Sequence, residues 1–189
     1  MRAALLDTDF DIRPWVRAML VHDDFYTDTT KGGLVRQPVE YVVALLVATG
    51  LPAEDGAPTW LMERAGQRVL FPPNVSGWKP NGYWVNASAM GARQRLAQVA
   101  VWSLTSDERD NGVGMQLPHG YIDYEWLREP DRPGAEVVDE FLEATALDTR
   151  LSAGTRQAII DHLDDPTINY WQRVDALLLA LYAPEMHVA

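Results

Sequence analysis

The chain has 189 residues, 47% apolar and 23% charged, a balance that excludes disordered, collagen-like and low-complexity classes and leaves enough apolar surface for a core. Sixteen basic against twenty-seven acidic residues give a net charge of −11, which argues against nucleic-acid and anionic-membrane partners. Cysteine is absent, which excludes disulfides and thiolate chemistry, and the longest apolar run, residues 41–48, is far short of the about 20 residues a membrane-spanning helix needs.

The acid is unevenly placed: residues 1–104 hold ten acidic and ten basic residues, residues 105–189 seventeen and six. The first ten residues show no apolar run of signal-peptide length, so no targeting signal is expected and localisation stays open, cytoplasmic by default. Asp11 is placed to cap a first helix whose apolar stripe is Ile12, Trp15, Val16, Met19 and Leu20. A second helix is predicted from Pro38 to a stop at Gly50, buried on most sides, with Arg36 four residues before Glu40. A short helix follows from Thr59 to Ala65, closed by Gly66. Ser88 is expected to cap a helix to about Leu104, with Ala89, Leu96, Val99, Ala100 and Ser103 inward. In that helix Arg93, Arg95 and Gln98 require other surroundings.

Residues 105–133 break into turn signals around aromatic residues and are expected to form an irregular connector. Three further helices are predicted over Ala135–Ala146, Ser152–Leu163 and Asn169–Tyr182, the last ended by Pro184. The whole is expected to be one all-α domain of about seven helices with long ordered loops.

The segment from Phe71 to Ala87 is a long irregular stretch between two helices, and such stretches, when ordered, are often functional. Its prolines stiffen it, while Trp78, Tyr83 and Trp84 supply large amphipathic surfaces. Two readings stand: a recognition loop with Asn74, Asn81 and Asn86 bonding a ligand beneath stacked aromatics, or a loop pinned to the helices by its own tryptophans.

Other constellations are weaker. Asp7, Asp9 and Asp11 open like a calcium loop, but Ile12 and Ala18 stand where glycine and glutamate are needed. His22 among Asp23, Asp24 and Asp28, and His162 beside Asp161, Asp164 and Asp165, read as solvated helix ends; His119 lies in a turn and His187 in the tail. Ser76 lacks a nucleophile elbow, and Thr29 to Gly33 lacks phosphate-loop spacing. No metal site or cofactor is expected.

Three segments, residues 32–46 (GGLVRQPVEYVVALL), 70–97 (LFPPNVSGWKPNGYWVNASAMGARQRLA) and 177–186 (LLLALYAPEM), together resemble the carboxy-terminal part of a large, mostly bacterial family, domain of unknown function 1800. The matching positions are Pro38, Glu40, Pro72, Pro73, Asn74, Val75, Gly77, Trp78, Trp84, Asn86 and Arg93. The resemblance implies a helical fold and an important tryptophan loop, brings no accepted reaction, and comes from a family whose members are often exported. It also implies that the amino-terminal helical region of full-length members is absent here, so that the chain is a fragment or truncated relative.

Two functions follow as expectations. One is a binding or scaffolding module whose partner is the absent amino-terminal half or a second copy. The other is the substrate-binding half of an exported enzyme acting on a carbohydrate or similar polar substrate. The candidate binding residues are Glu40, Asn74, Trp78, Tyr83, Trp84, Asn86 and Arg93, and no catalytic residue is assigned. Glu40, if buried, must pair with Arg36, Arg93 or Arg95.

Overall fold

Each apolar stripe becomes a helix in a computed structural model that describes Leu6, residues 10–27, Thr30, 33–51, 57–105, Glu129, 131–145, Leu147 and 151–188. Among these residues there are seven α-helices and no sheet, so the fold is all-α: α1 (Ile12–Leu20), α2 (Pro38–Thr49), α3 (Ala57–Arg64), α4 (Ala87–Thr105), α5 (Gly134–Thr145), α6 (Ala153–Leu163) and α7 (Tyr170–Leu181). His119, most of the 105–133 connector, and Asp7, Asp9 and Asp28 lie outside the described residues.

The chain forms two compact units, Met1–Leu34 with Val188–Ala189, and Val35–His187. In the first, Asp11 caps α1 by accepting from the Arg13 N–H at 3.0 Å. The α1 stripe leaves Ile12 and Leu20 exposed and no residue of the helix buried. A 3₁₀ turn, Asp23–Tyr26, follows, capped by His22 Nδ1, which accepts from the Asp24 N–H. His22 is therefore a local cap, and the Tyr26 hydroxyl ties the turn back to the Leu20 carbonyl at 2.6 Å.

The second unit holds the core. Pro38 opens α2, where its missing N–H costs nothing, and Gly50, at φ +67°, closes it in the left-handed conformation open to glycine. Tyr41, Val42, Leu45 and Ala48 of α2 are buried against α4, while Val43 and Val47 are exposed, so α2 is less enclosed than its composition predicts. Helix α4 is the central element, packing on α2, α3 and α7 with Ala89, Leu96, Ala97, Ala100 and Val101 inward.

Its cap is Asn86, not Ser88: Asn86 Oδ1 accepts from the Ala89 N–H at 3.0 Å, and the helix begins one residue before the serine. Amide oxygen and hydroxyl are both good caps, so the sequence pattern alone could not choose between them.

Helices α5, α6 and α7 complete the core through Val137, Phe141, Ile159, Leu163, Val174 and Leu177. Ser152 caps α6 and Asn169 caps α7, each just ahead of its helix rather than inside it. A final 3₁₀ turn, Pro184–His187, folds back onto α2. Glu185 locks it there, its Oε1 accepting from the Ser152 N–H at 3.1 Å and the Thr155 hydroxyl at 2.8 Å. Burial raises the Glu185 pKa, but these hydrogen bonds outweigh it and hold the carboxyl below its ordinary value.

Candidate functional site

Two adjoining features carry the chemistry of the second unit: the irregular stretch between α3 and α4, and a buried polar cluster beneath it on α4. Gly66, at φ +93°, turns the chain out of α3, and a Cβ there would lie 3.7 Å from the Trp84 ring. Gln67 then secures the exit: its Oε1 accepts from the Val39 N–H at 2.9 Å and its Nε2 donates to Gln37 Oε1 at 2.6 Å. From Val69 to Val75 the chain is exposed and, Asn74 apart, apolar. Leu70 is 88% exposed, Phe71 and Val75 are also exposed, and Leu70 holds φ +67°, a conformation that bulky side chains rarely adopt. The Arg68 guanidinium lies 4.1 Å from the Phe71 ring centre and pairs with Glu63 at 3.1 Å, which fixes the base of the projection.

The aromatics divide by depth. Trp84 is 1% exposed and is the anchor; Trp78 is half-buried, its ring centre 6.0 Å from that of Trp84. Tyr83 is exposed, edge-on to Trp84 at 5.1 Å, with Lys79 Nζ 5.0 Å from its centre. The amides are engaged locally. Asn74 Oδ1 accepts from the Ser76 N–H in a turn at 2.8 Å, Asn81 Oδ1 accepts from the Val35 N–H, and Asn86 caps α4 while its Nδ2 donates to the Tyr83 carbonyl at 3.0 Å.

Arg93, 1% exposed, sits where the inner row of α4 would otherwise be apolar. Its Nη2 donates to the Arg36 carbonyl at 2.5 Å, its Nη1 faces His187 Nδ1 at 3.2 Å, and its guanidinium lies 5.4 Å from the centre of the Tyr41 ring. Arg36, also buried, donates through Nη1 to the Met186 carbonyl at 3.0 Å, and its N–H donates to the His187 carbonyl. His187 stacks on Tyr41 at 5.1 Å and meets Tyr182 edge-on at 4.9 Å. The hydroxyls of these tyrosines reach the carbonyls of Leu181 and Met90.

Burial depresses the Arg93 pKa, opposed by the neighbouring tyrosines, and pushes the Tyr41 hydroxyl far above its ordinary value. Burial, then the Arg93 charge, lowers His187 from 6.5 to about 4, so at neutral pH it is an uncharged ring accepting from a guanidinium. Among the described residues Trp84 Nε1 and Arg93 Nε are buried with no hydrogen-bond partner.

Glu40 lies at the edge of the cluster: its charge acts on Arg93, but its direct partner is elsewhere. It is exposed and closes a capping box, its Oε2 accepting from the Gln37 N–H at 2.6 Å. The pairing with Arg36, Arg93 or Arg95 is expected of a buried Glu40; the first turn of α2 reaches solvent, and a backbone N–H is its partner instead. Glu40→Ala is expected to cost about 1 kcal/mol, the usual value of a lost cap, where a stranded buried charge would cost about 3 to 5. A urea midpoint shift in the larger range would refute the cap.

Sequence reasoning missed His187, Tyr41, Tyr182 and Arg36 as a cluster. The usable signal was Arg93 itself, an unneutralised cation on the inner face of a helix. Among the described residues no three His, Asp or Glu gather as metal ligands, and no helix is long and apolar enough to cross a membrane.

Neither the curated proteins nor the solved structures contain a match to the chain. The family described as Protein of unknown function (DUF1800) matches residues 1–188, and with the anchored tryptophan loop and the α4 arginine on the positions that carry the resemblance, the chain belongs to that family.

Proposed function

We infer that the chain is a binding or scaffolding module that presents the loop following α3 to a partner. The observation that carries this reading is the division of the loop: Trp84 is buried as an anchor, while Leu70, at φ +67°, and Phe71 and Val75 project into solvent. Exposed apolar residues held on a rigid base are what a protein contact requires, since ordering them in advance lowers the entropy lost on association. The partner is a second copy of the chain or the amino-terminal helical region implied by the family resemblance. The reading as half of an exported carbohydrate-acting enzyme is less well supported, because Trp84 has no exposed face and the oxygens of Asn74, Asn81 and Asn86 are held by backbone N–H groups.

The test is the triple variant Leu70→Ser, Phe71→Ser, Val75→Ser, compared with the parent by sedimentation velocity and by a dye that reports exposed apolar surface. The parent is expected to bind the dye and to self-associate with rising concentration, and the variant to lose both with its far-ultraviolet circular dichroism unchanged. Sedimentation and dye binding that are the same in parent and variant would overturn the reading.

A further inference from the structure

A groove of about 430 Å3 opens between α3 and α4, lined by Leu61, Arg64, Ala87, Ser88, Gly91, Ala92 and Arg95. Its two cations are pre-positioned: Arg64 lies 4.9 Å from the centre of the Trp60 ring, and Arg95 lies 5.3 Å from that of Trp102. Neither has a carboxylate partner among the described residues. The acid closest in sequence, Glu63, is taken by Arg68. The two cations of the groove stand against the charge of the chain, which is −11 overall. Gly91 keeps the floor of the groove bare: it lies inside α4, where glycine weakens a helix, and among the described residues a Cβ on it would meet nothing within 4 Å.

We propose that the α3–α4 groove is a docking site for an acidic peptide segment, its carboxylates pairing with Arg64 and Arg95 and its backbone passing close over Gly91. Guanidinium forks match carboxylates two bonds at a time, which selects Asp or Glu side chains. Leu61, Ala87 and Ala92 offer apolar contact to the methylenes between those charges. The small residues of α4 leave the approach open to a polypeptide backbone. Leu70, Phe71 and Val75, which carry the loop reading, do not line the groove, so it stands independently of that reading.

The probe is a fluorescein-labelled twelve-residue peptide of alternating Glu and Ala, followed by anisotropy against the full chain. Binding is expected to weaken with salt and to fall by about tenfold or more in Arg95→Glu and in Gly91→Gln. The second variant leaves the charges intact and only fills the groove; it also favours the helix, so a melting temperature no lower than that of the parent separates lost docking from lost folding. The triple-serine loop variant should bind the peptide like the parent. Absence of binding by the parent, or equal binding by parent, Arg95→Glu and Gly91→Gln, would overturn the proposal. So would full competition by millimolar inorganic phosphate, which would mark a small-anion site, tighter binding of a thymidine oligonucleotide, or self-association abolished by Arg95→Glu, which would assign the groove to a second copy.

Discussion

Arg93→Ala is expected to lower the stability of the chain by about 3 to 5 kcal/mol, more than any other single truncation of a polar residue on α4. Three losses coincide. The side chain is 1% exposed, so its removal leaves a cavity between α4 and α2; the Arg36 carbonyl loses a donor at 2.5 Å; and His187 Nδ1 loses the Nη1 that faces it. The cation also lies over Tyr41, whose ring stacks on His187, so the loss spreads to the seam between α2 and the carboxy-terminal turn. Arg93→Met separates volume from hydrogen bonding. Methionine refills much of the space and carries no donor, so a deficit of about 1 to 3 kcal/mol should remain. Urea denaturation of both variants checks this. A parent-like midpoint for Arg93→Ala would mean that the cluster is not what joins the carboxy-terminal turn to the helices.

This cluster explains why the fold was more legible in the sequence than the site. Helices were readable because each one announces itself locally: the stripe of Tyr170, Val174, Leu177, Leu178 and Leu181, the Pro38 start, the Gly50 stop and the Ser152 cap all act within a few residues. The Trp84 anchor was foreseeable as one of two readings, because a tryptophan in a stiff proline-rich loop has few other places to go. The partners of Arg93 were not foreseeable in this way. Arg36, Tyr41, Tyr182 and His187 come together only when α2 and the last turn close over α4, across separations of 57 residues to Arg36 and 94 to His187. His187 in particular reads as part of a polar tail until Glu185 pins the turn to the start of α6. For Glu40 the ion pairing is expected only of a buried side chain; it is exposed, and a local cap reached within three residues takes its place.

The buried imidazole also makes the stability of the chain depend on pH in a window where few other groups titrate. His187 is 8% exposed, and its pKa is lowered by burial first and by the Arg93 charge second, from 6.5 to about 4. The charged groups around it are Arg93 from α4 and Arg36 ahead of α2, and the tyrosines facing it, Tyr41 and Tyr182, are neutral in this range. Among the described residues no carboxylate acts on the ring to favour the imidazolium. Above pH 6.5 the ring is neutral in both folded and unfolded chains, and its contribution is constant. As the pH falls from 6.5 towards 4, the unfolded chain takes up a proton that the folded chain refuses, so stability declines by about 1.4 kcal/mol per unit, about 3 kcal/mol in all. Below about 4 both states are protonated and this decline ends. Glu185 and Asp165, whose carboxyls are held below their ordinary values, lose stabilisation only as the pH falls further into the carboxylate range. His187→Asn keeps an oxygen that can accept from Arg93 and does not titrate, while leaving both carboxylates in place. Denaturant midpoints measured from pH 7 to pH 4 are therefore expected to fall steeply for the parent and to stay nearly level for His187→Asn until the acids begin to protonate. Parallel profiles for the two proteins would show that the ring is protonated as easily folded as unfolded, and would place His187 in solvent rather than in the stack between Tyr41 and Tyr182.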